Sequence, residues 1–255
     1  RLITGKSKII IIDRCYHGSV DESFATLDKK GNTVSREGNI GAPVDLNLTT
    51  RVVAFNDLSA MEKALANDDV AAILMEPAMT NVGIVLPESG YLLAVQGLAK
   101  KFGALLIIDE THTISVGPGG MTADLGLTPD FLTIGKAIGG GFPTGAFGMQ
   151  QHIADSIKRL VELEVIDTGG IGGTLAANAL SLAAMRATLT KVLTKESFDR
   201  MIKLGDRWAD GVEKVIAKFD LPWTVNRLGA RAEYMFSTIT PKNGRQAADA
   251  GDFEL

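Results

Sequence analysis

The chain has very little cysteine: Cys15 is the only one in 255 residues. A single cysteine has no partner within the chain, so a disulfide scaffold is excluded. A chain of this length buries enough surface to be stable without disulfides or a structural metal. It also begins without a basic and then apolar leader, which would indicate secretion. We therefore expect a protein of a reducing compartment, the cytoplasm.

Basic charge and long apolar runs are also scarce. The 26 lysines and arginines are outnumbered by 30 aspartates and glutamates, the net charge is −4, and the basic residues are scattered. A surface for nucleic acid would need them clustered, so we expect no nucleic acid partner. Apolar runs such as Ile9–Ile12 and Ala104–Ile108 are far shorter than the roughly 20 residues that cross a bilayer. We expect no membrane partner either.

Short apolar runs of strand length recur along the first 150 residues. Most are apolar throughout, which is typical of strands buried on both faces of a sheet. Helical patterns lie between several of them, at Leu58–Ala66 and Tyr91–Phe102, and this alternation favours a parallel sheet covered by helices. The predicted strands are Lys8–Asp13, Arg51–Phe55, Val70–Met75, Ala104–Asp109, Phe131–Ile134 and Ala146–Met149. The predicted fold class is α/β, with a mostly parallel central sheet flanked by helices.

Beyond Gly173 the pattern becomes mainly helical. The predicted elements there are two helices, Thr174–Leu193 and Glu196–Phe219, and one strand, Arg231–Ser237. We expect a large domain over residues 1–193 and the start of a smaller α/β domain over residues 194–255. A lone strand is marginal in water, and Gln246–Leu255 offers it no partner. The C-terminal domain is therefore expected to be incomplete.

Two charged residues close predicted buried strands. Asp109 follows five apolar residues, and Lys136 follows the strand at 131–134 and precedes Gly139-Gly140-Gly141. Sites of α/β proteins lie at the carboxyl ends of strands, and a buried carboxylate requires a cation, a metal or several donors. Glycines let a ligand approach the backbone closely. A structural interpretation stays open at this point, in which Asp109 caps a helix and Lys136 lies on a surface loop.

Several further motifs occur in a consistent order. The segments are Thr4-Gly5-Lys6, Tyr16-His17-Gly18, Glu76-Pro77, Ile107-Ile108-Asp109-Glu110-Thr111, Thr133 to Gly145, and Gly173-Thr174. Together they resemble the core signature of class III pyridoxal-phosphate aminotransferases, and most of all the branch of glutamate-1-semialdehyde aminomutases and β-amino acid transaminases. The resemblance covers essentially the whole chain. It implies the fold-type I architecture and pyridoxal 5'-phosphate (PLP) as cofactor.

The resemblance also implies roles for individual residues. Lys136 matches the lysine that holds PLP as an aldimine, and Asp109 matches the carboxylate that pairs with the pyridine nitrogen; these two are the expected catalytic residues. The cofactor-binding residues implied are Lys136, Asp109, Tyr16, Thr111, Thr174 and Glu76. Tyr16 would stack on the ring, Thr111 would lie on its other face, and Thr174 would reach the phosphate of the neighbouring subunit's cofactor. Glu76 would lie near the phenolic oxygen.

Ordinary structural roles exist for several of these residues. Tyr16 could be a half-buried core residue. Thr174 could simply cap a helix that follows Gly169–Gly173, although such a helix start also binds anions. Glu76 could belong to a turn that ends a strand. The phosphate-binding loop and the residues that bind the substrate carboxylate are expected to lie outside this stretch, as is an N-terminal part of the large domain.

Two residues depart from the family pattern. Thr111 stands where a small aliphatic side chain is usual, so its hydroxyl could touch substrate. His112 is also unusual there, and it either lines the site or is a solvated loop histidine.

The activity that the resemblance implies is that of an aminotransferase. It would move an amino group from an amino acid or amine, including β-amino acids, to a 2-oxo acid by a ping-pong mechanism, in a homodimer with shared active sites. An aminomutase of the glutamate-1-semialdehyde type and an amino-acid racemase stay as alternatives, and a catalytically inactive interaction subunit is disfavoured because Lys136 and Asp109 are present.

Unrelated classes of enzyme fit the sequence less well. A nucleotide-binding loop at Gly5-Lys6-Ser7 would have to follow a strand rather than precede one. Neither Gly139–Gly145 nor Gly169–Gly173 has the full glycine spacing of a dinucleotide-binding motif. A metal hydrolase that uses His17, Asp109 and His112 would leave Lys136 and its glycines unexplained. We expect no metal.

Overall fold

The computed structural model describes residues 1–162 and 171–250. The strands are β1 (Lys8–Ile12), β2 (Ala25–Leu27), β3 (Thr33–Ser35), β4 (Thr50–Val53), β5 (Val70–Met75), β6 (Leu105–Asp109), β7 (Phe131–Gly135), β8 (Gly145–Met149), β9 (Thr224–Leu228) and β10 (Arg231–Met235). The α-helices are α1 (Leu58–Leu65), α2 (Tyr91–Lys101), α3 (Gly120–Asp124), α4 (Gln151–Glu162), α5 (Ala179–Ala187), α6 (Lys195–Phe219) and α7 (Gly244–Asp249).

A six-stranded sheet forms the centre, in the order β4-β1-β5-β6-β7-β8. The first five strands pair in parallel, and β8 pairs antiparallel with β7 at one edge. The predicted α/β class with a mostly parallel sheet is therefore confirmed. Each strand predicted within this sheet is present, with its ends displaced by no more than two residues. None of the helices within the described ranges combines the length and apolar character that a bilayer span requires.

The core lies around the middle strands. Ile10, Ile12 and Ile73 are fully buried there, as the continuous apolar runs predict. Helix α1 begins after Asp57, whose side chain accepts a hydrogen bond from the backbone N of Ala60 and so caps the helix. Its residue Met61 packs into the core. Burial of each such side chain contributes about 1.5 to 3 kcal/mol.

The prediction that the strand after residue 230 has no partner is wrong. Strand β10 pairs antiparallel with β9, and the pair is joined by a turn at Gly229. The sequence of β9, Thr224–Leu228, has only two apolar residues, Val225 and Leu228, separated by two polar ones, so it lacks the apolar run that reveals the other strands. Gly229 has φ +60, and a Cβ there would collide with the backbone of Ser115. Only glycine fits this contact.

The prediction that Thr174 opens a helix is also wrong. Helix α5 begins at Ala179, and the side chain of Asn178 caps it by accepting a hydrogen bond from the backbone N of Ser181 at 2.9 Å. Thr174 lies in the preceding turn, where Ala177 has a left-handed backbone (φ 56) that interrupts any helix. Of the predicted glycine run, Gly169 and Gly170 lie outside the described residues.

A buried carboxylate holds helix α3 against the sheet. Glu110 directly follows β6 and is only 1% exposed. Its oxygens accept hydrogen bonds from four donors: the backbone N atoms of Met121 and Thr122 and the hydroxyls of Thr113 and Thr122. A carboxylate can accept all of these bonds because it carries no proton. Glu110 therefore has a structural role close to the carboxyl end of β6.

Replacement of Glu110 by glutamine is expected to lower the free energy of unfolding by about 2 to 3 kcal/mol. The amide keeps the volume, but its NH2 group would face donors instead of accepting from them. Urea denaturation followed by circular dichroism measures the change. The matched control is Glu62→Gln, where the exposed Glu62 pairs with Lys101; it should change stability by less than about 0.5 kcal/mol. A loss below about 1 kcal/mol in Glu110→Gln would contradict the structural role.

Candidate active site

The carboxyl ends of four adjacent strands open on one cavity of about 260 Å³. Asp109 is the last residue of β6, Glu76 follows β5, Lys136 follows β7, and His17 lies in the loop after β1. The residues that line the cavity are Tyr16, His17, Gly18, Glu76, Asp109, Thr111, His112, Gly135 and Lys136. Side chains far apart in sequence meet here because parallel strands end at the same edge of the sheet.

Five of the six residues predicted for the site lie in this cavity. They are Tyr16, Glu76, Asp109, Thr111 and Lys136. The sixth, Thr174, is exposed and is not among the lining residues. Tyr16 is 44% exposed and packs edge-on against Phe24, with 6.3 Å between the ring centroids. Tyr16 is therefore not a core residue.

Asp109 is held as an ionised carboxylate. Oδ2 is bonded to Nδ1 of His17 at 2.9 Å, and Oδ1 accepts from the backbone N of Thr111 at 3.0 Å. Burial alone would raise the pKa of Asp109, but these two hydrogen bonds outweigh it and hold the pKa below its ordinary value. The donors expected for a buried carboxylate are thus supplied by His17 and Thr111. The site contains a fixed negative charge at neutral pH.

Lys136 leaves the sheet in a sharp turn. Its backbone is left-handed (φ 49), and it begins a 3₁₀ turn over Lys136–Gly139 directly after β7. The following glycines allow close packing: a Cβ at Gly139 would lie 2.7 Å from Oγ1 of Thr144. The amine Nζ lies 3.1 Å from Nε2 of His112. His112 therefore lines the site and contacts its lysine.

Two buried polar atoms at the cavity have no hydrogen-bond partner within the described part of the chain. One is Nε2 of His17, and the other is Oε1 of Glu76. The second oxygen of Glu76 accepts from the hydroxyl of Thr80, and burial raises the pKa of Glu76. An unpaired buried polar atom costs stability, so such atoms are typical of sites that bind a polar ligand. Within the same described ranges, no three His, Cys, Asp or Glu side chains are grouped as a metal site requires.

Sequence reasoning did not assign His17 to the support of Asp109. The sequence signal for it is the segment Tyr16-His17-Gly18, in which the family resemblance assigns a cofactor-binding role only to the tyrosine. The structure shows that the two aromatic residues have different surroundings. The tyrosine ring is exposed, whereas the His17 side chain is 2% exposed and bonded to Asp109.

Comparisons with known proteins identify the family to which this chain belongs. The sequence model of the family described as aminotransferase class-III matches residues 1–249. The glutamate-1-semialdehyde 2,1-aminomutase 1 of Staphylococcus carnosus is 36% identical over 99% of this chain and 58% of its own length. A crystal structure of a glutamate-1-semialdehyde aminomutase from Pseudomonas aeruginosa is 44% identical, with a TM-score of 0.94 over 99% of this chain and 56% of that one. An omega-transaminase from Sphaerobacter thermophilus is 29% identical, with a TM-score of 0.80 over 93% of this chain and 55% of that one.

This chain belongs to the class-III aminotransferase family. Its fold is that of the fold-type I PLP transferases, and PLP is the cofactor of this family, so the predictions of family, fold and cofactor are confirmed. A variant of the Pseudomonas enzyme is itself described in complex with PMP. The chain spans a little over half the length of these relatives.

The residues present fit this cofactor. PLP requires an amine for covalent attachment and a carboxylate opposite its ring nitrogen. The cavity supplies Lys136 and an ionised Asp109, and the unpaired atoms of His17 and Glu76 are polar groups that a bound molecule could satisfy.

Proposed function

We propose that the cavity binds PLP and that the protein transfers amino groups there. The observation that supports this most strongly is the placement of the Lys136 amine and the ionised Asp109 in one cavity, at the ends of neighbouring strands. When bound, PLP withdraws electrons from the carbon that carries the amine and so allows a proton to leave it. Every other part of the chemistry falls to side chains of the protein.

Each side chain in the cavity has a proposed task. Lys136 attaches the cofactor and then takes and returns the proton of the substrate carbon at its Nζ. Asp109 keeps a proton on the nitrogen that faces it, because a carboxylate stabilises the adjacent positive charge. His17 orients Asp109 through the 2.9 Å hydrogen bond. Tyr16 and Thr111 would contact the two faces of the ring, and Glu76 would lie near its polar edge.

Within this chemistry we propose the aminomutase reaction first. It is supported by the names of relatives that are 36% and 44% identical to this chain. The aminotransferase reaction predicted from the sequence is the second candidate, supported by the omega-transaminase at 29% identity. An aminomutase moves the amino group within one substrate. A transaminase passes it to a separate 2-oxo acid.

The two reactions differ in what they need as a second substrate. The protein at its full natural length, loaded with PLP, would be given glutamate-1-semialdehyde alone. An aminomutase converts it to the amino-shifted isomer over many turnovers. A transaminase stops after about one turnover for each site and resumes only when pyruvate or 2-oxoglutarate is added. If the protein catalyses neither reaction and a panel of other amines is also inactive as substrates, the proposal of amino transfer is contradicted.

We also propose a homodimer with shared sites, in which Thr174 serves the cavity of the partner subunit. Thr174 does not line the cavity of its own chain. It lies instead on a surface with exposed apolar side chains, including Leu175 at 79% and Leu180 at 61% exposure. Exposed apolar patches of this kind are typical of subunit interfaces. A second copy of the chain is the partner that the proposal requires.

Co-expression of two variants tests the shared site. Lys136→Ala and Thr174→Ala should each be impaired as homodimers. In a mixed dimer with shared sites, one site has both intact residues and the other has neither, so about half of wild-type activity returns for each heterodimer. If both residues served the same chain, every mixed site would carry one defect. Activity no higher than the average of the two homodimers would then exclude the shared site.

The division into residues 1–193 and 194–255 is likewise proposed. It is supported by Thr194, whose side chain caps α6, and by the packing of α6 on the β9–β10 hairpin.

A further inference from the structure

His112 and Lys136 meet at the ends of two adjacent strands. His112 lies just after β6 and Lys136 just after β7, and their Nε2 and Nζ atoms are 3.1 Å apart. Both side chains line the cavity.

The charges around His112 keep its ring neutral. The groups that face it are Lys136 after β7, Arg231 and Glu233 on β10, and Asp109 at the end of β6. Burial disfavours the charged ring, and the cations of Lys136 and Arg231 add to this effect; the two carboxylates oppose it but are weaker. The pKa of His112 therefore lies below its ordinary value.

The direction of the hydrogen bond follows from this neutrality. A lysine ammonium has three donors and no acceptor, so a neutral His112 must accept at Nε2 and carry its own proton on Nδ1. The lysine side chain is long and flexible, with about 2 kcal/mol of rotamer entropy. The left-handed backbone of Lys136 fixes where the side chain begins, but only a contact near its end can fix the amine.

We propose that His112 is a positioning residue for Lys136: as a neutral acceptor it holds the lysine amine in the cavity, ready to attach the cofactor. The task of Lys136 rests on the proposed function, whereas the contact rests on the geometry. An imidazolium has no acceptor. The contact is therefore present while the pH is above the pKa of His112 and is lost as the pH falls through it.

The first test uses the cofactor-free protein. Its three histidines can be followed by NMR of the imidazole rings, with His152→Gln used for assignment. His112 should titrate below about pH 6.5. Lys136→Met removes a facing cation and should raise that midpoint by about half a unit or more. An unchanged His112 midpoint in Lys136→Met would overturn the proposal.

The second test measures attachment rather than turnover. PLP at limiting concentration is reduced with borohydride, and the label on Lys136 is quantified by peptide mass spectrometry in wild type, His112→Gln and His112→Leu. Glutamine can accept a hydrogen bond but does not titrate, whereas leucine cannot accept one. At pH 8 we expect His112→Leu to lose about fivefold in label and His112→Gln to match wild type. Between pH 7 and pH 5 the ratio of label in wild type to that in His112→Gln should fall.

The outcomes separate this proposal from the proposed function. Equal label in His112→Leu and wild type, or a ratio that stays constant with pH, would overturn the positioning role. A protein that shows the expected labelling and NMR shifts but transfers no amino group would contradict the proposed function and leave the positioning role supported. His152 lies on α4 and does not line the cavity, so His152→Gln should behave as wild type in the labelling experiment.

Discussion

Replacement of Lys136 by alanine is expected to lower amino transfer by at least about a thousandfold. The amine has two tasks in the proposed function, attachment of the cofactor and movement of the substrate proton. Loss of proton transfer alone commonly costs between about a hundredfold and ten-thousandfold. Alanine removes both tasks but leaves Asp109 and His17 in place, so PLP should still bind without covalent attachment. Steady-state rates in the full-length protein measure the effect.

The same experiment identifies the lysine directly. Borohydride reduction of the PLP-loaded wild type should place a phosphopyridoxyl label on the peptide that contains Lys136, and Lys136→Ala should lose it. The matched control is Lys100→Ala, since Lys100 is exposed on α2 and lies outside the cavity. A label on Lys100 or Lys101 in the wild type would overturn the assignment of Lys136.

The second large effect is expected from Asp109→Asn. This variant should bind PLP but slow the half-reaction with an amine by at least about a hundredfold, or about 2.7 kcal/mol in the barrier. An amide has nearly the same shape as the carboxylate but no charge, so it cannot keep a proton on the nitrogen that faces it. Single-turnover loss of the cofactor absorbance measures the rate.

The control for Asp109→Asn is the same substitution at an exposed aspartate outside the cavity. Asp124→Asn also removes one negative charge, at an exposed position at the end of α3. It should react at the wild-type rate. If Asp109→Asn stayed within threefold of wild type, Asp109 would not be the partner of the ring nitrogen, and the bond from His17 would have only a structural purpose.

The central sheet could be predicted because its strands are buried on both faces. Such strands are continuous apolar runs, and Val70–Met75 was predicted with both ends correct. Strand β9 was missed for the opposite reason, since Thr224, Asn226 and Arg227 interrupt its apolar residues. The helix after Gly173 is predicted to begin too early because its N-cap is assigned to Thr174 instead of Asn178. The periodic pattern extends back to Thr174, but a left-handed residue at Ala177 and the cap at Asn178 delay the helix.

The sequence predicts most of the residues that line the cavity, but it does not predict the hydrogen bonds between them. The carboxyl ends of β6 and β7 indicated Asp109 and Lys136 directly, since sites of parallel sheets form there. No sequence pattern indicates that His17 bonds Asp109 or that His112 bonds Lys136. Both bonds join residues that are 24 or more positions apart, and they depend on the order of the strands in the sheet. The order of the strands depends on how all strands and helices pack together, which no local sequence pattern specifies.

The pairing of β6 with β7, in which Asp109 lies opposite Thr133, places the two central groups of the site at the ends of adjacent strands of the central sheet. Neighbouring strands keep a spacing of about 4.8 Å because of the hydrogen bonds between them. The separation between the carboxylate and the start of the lysine turn is thus set by backbone geometry that side-chain substitutions do not alter. Loops around the cavity can accumulate mutations without disturbing this spacing. Such a scaffold lets descendants of one ancestor change the molecules they accept while inheriting the same chemistry.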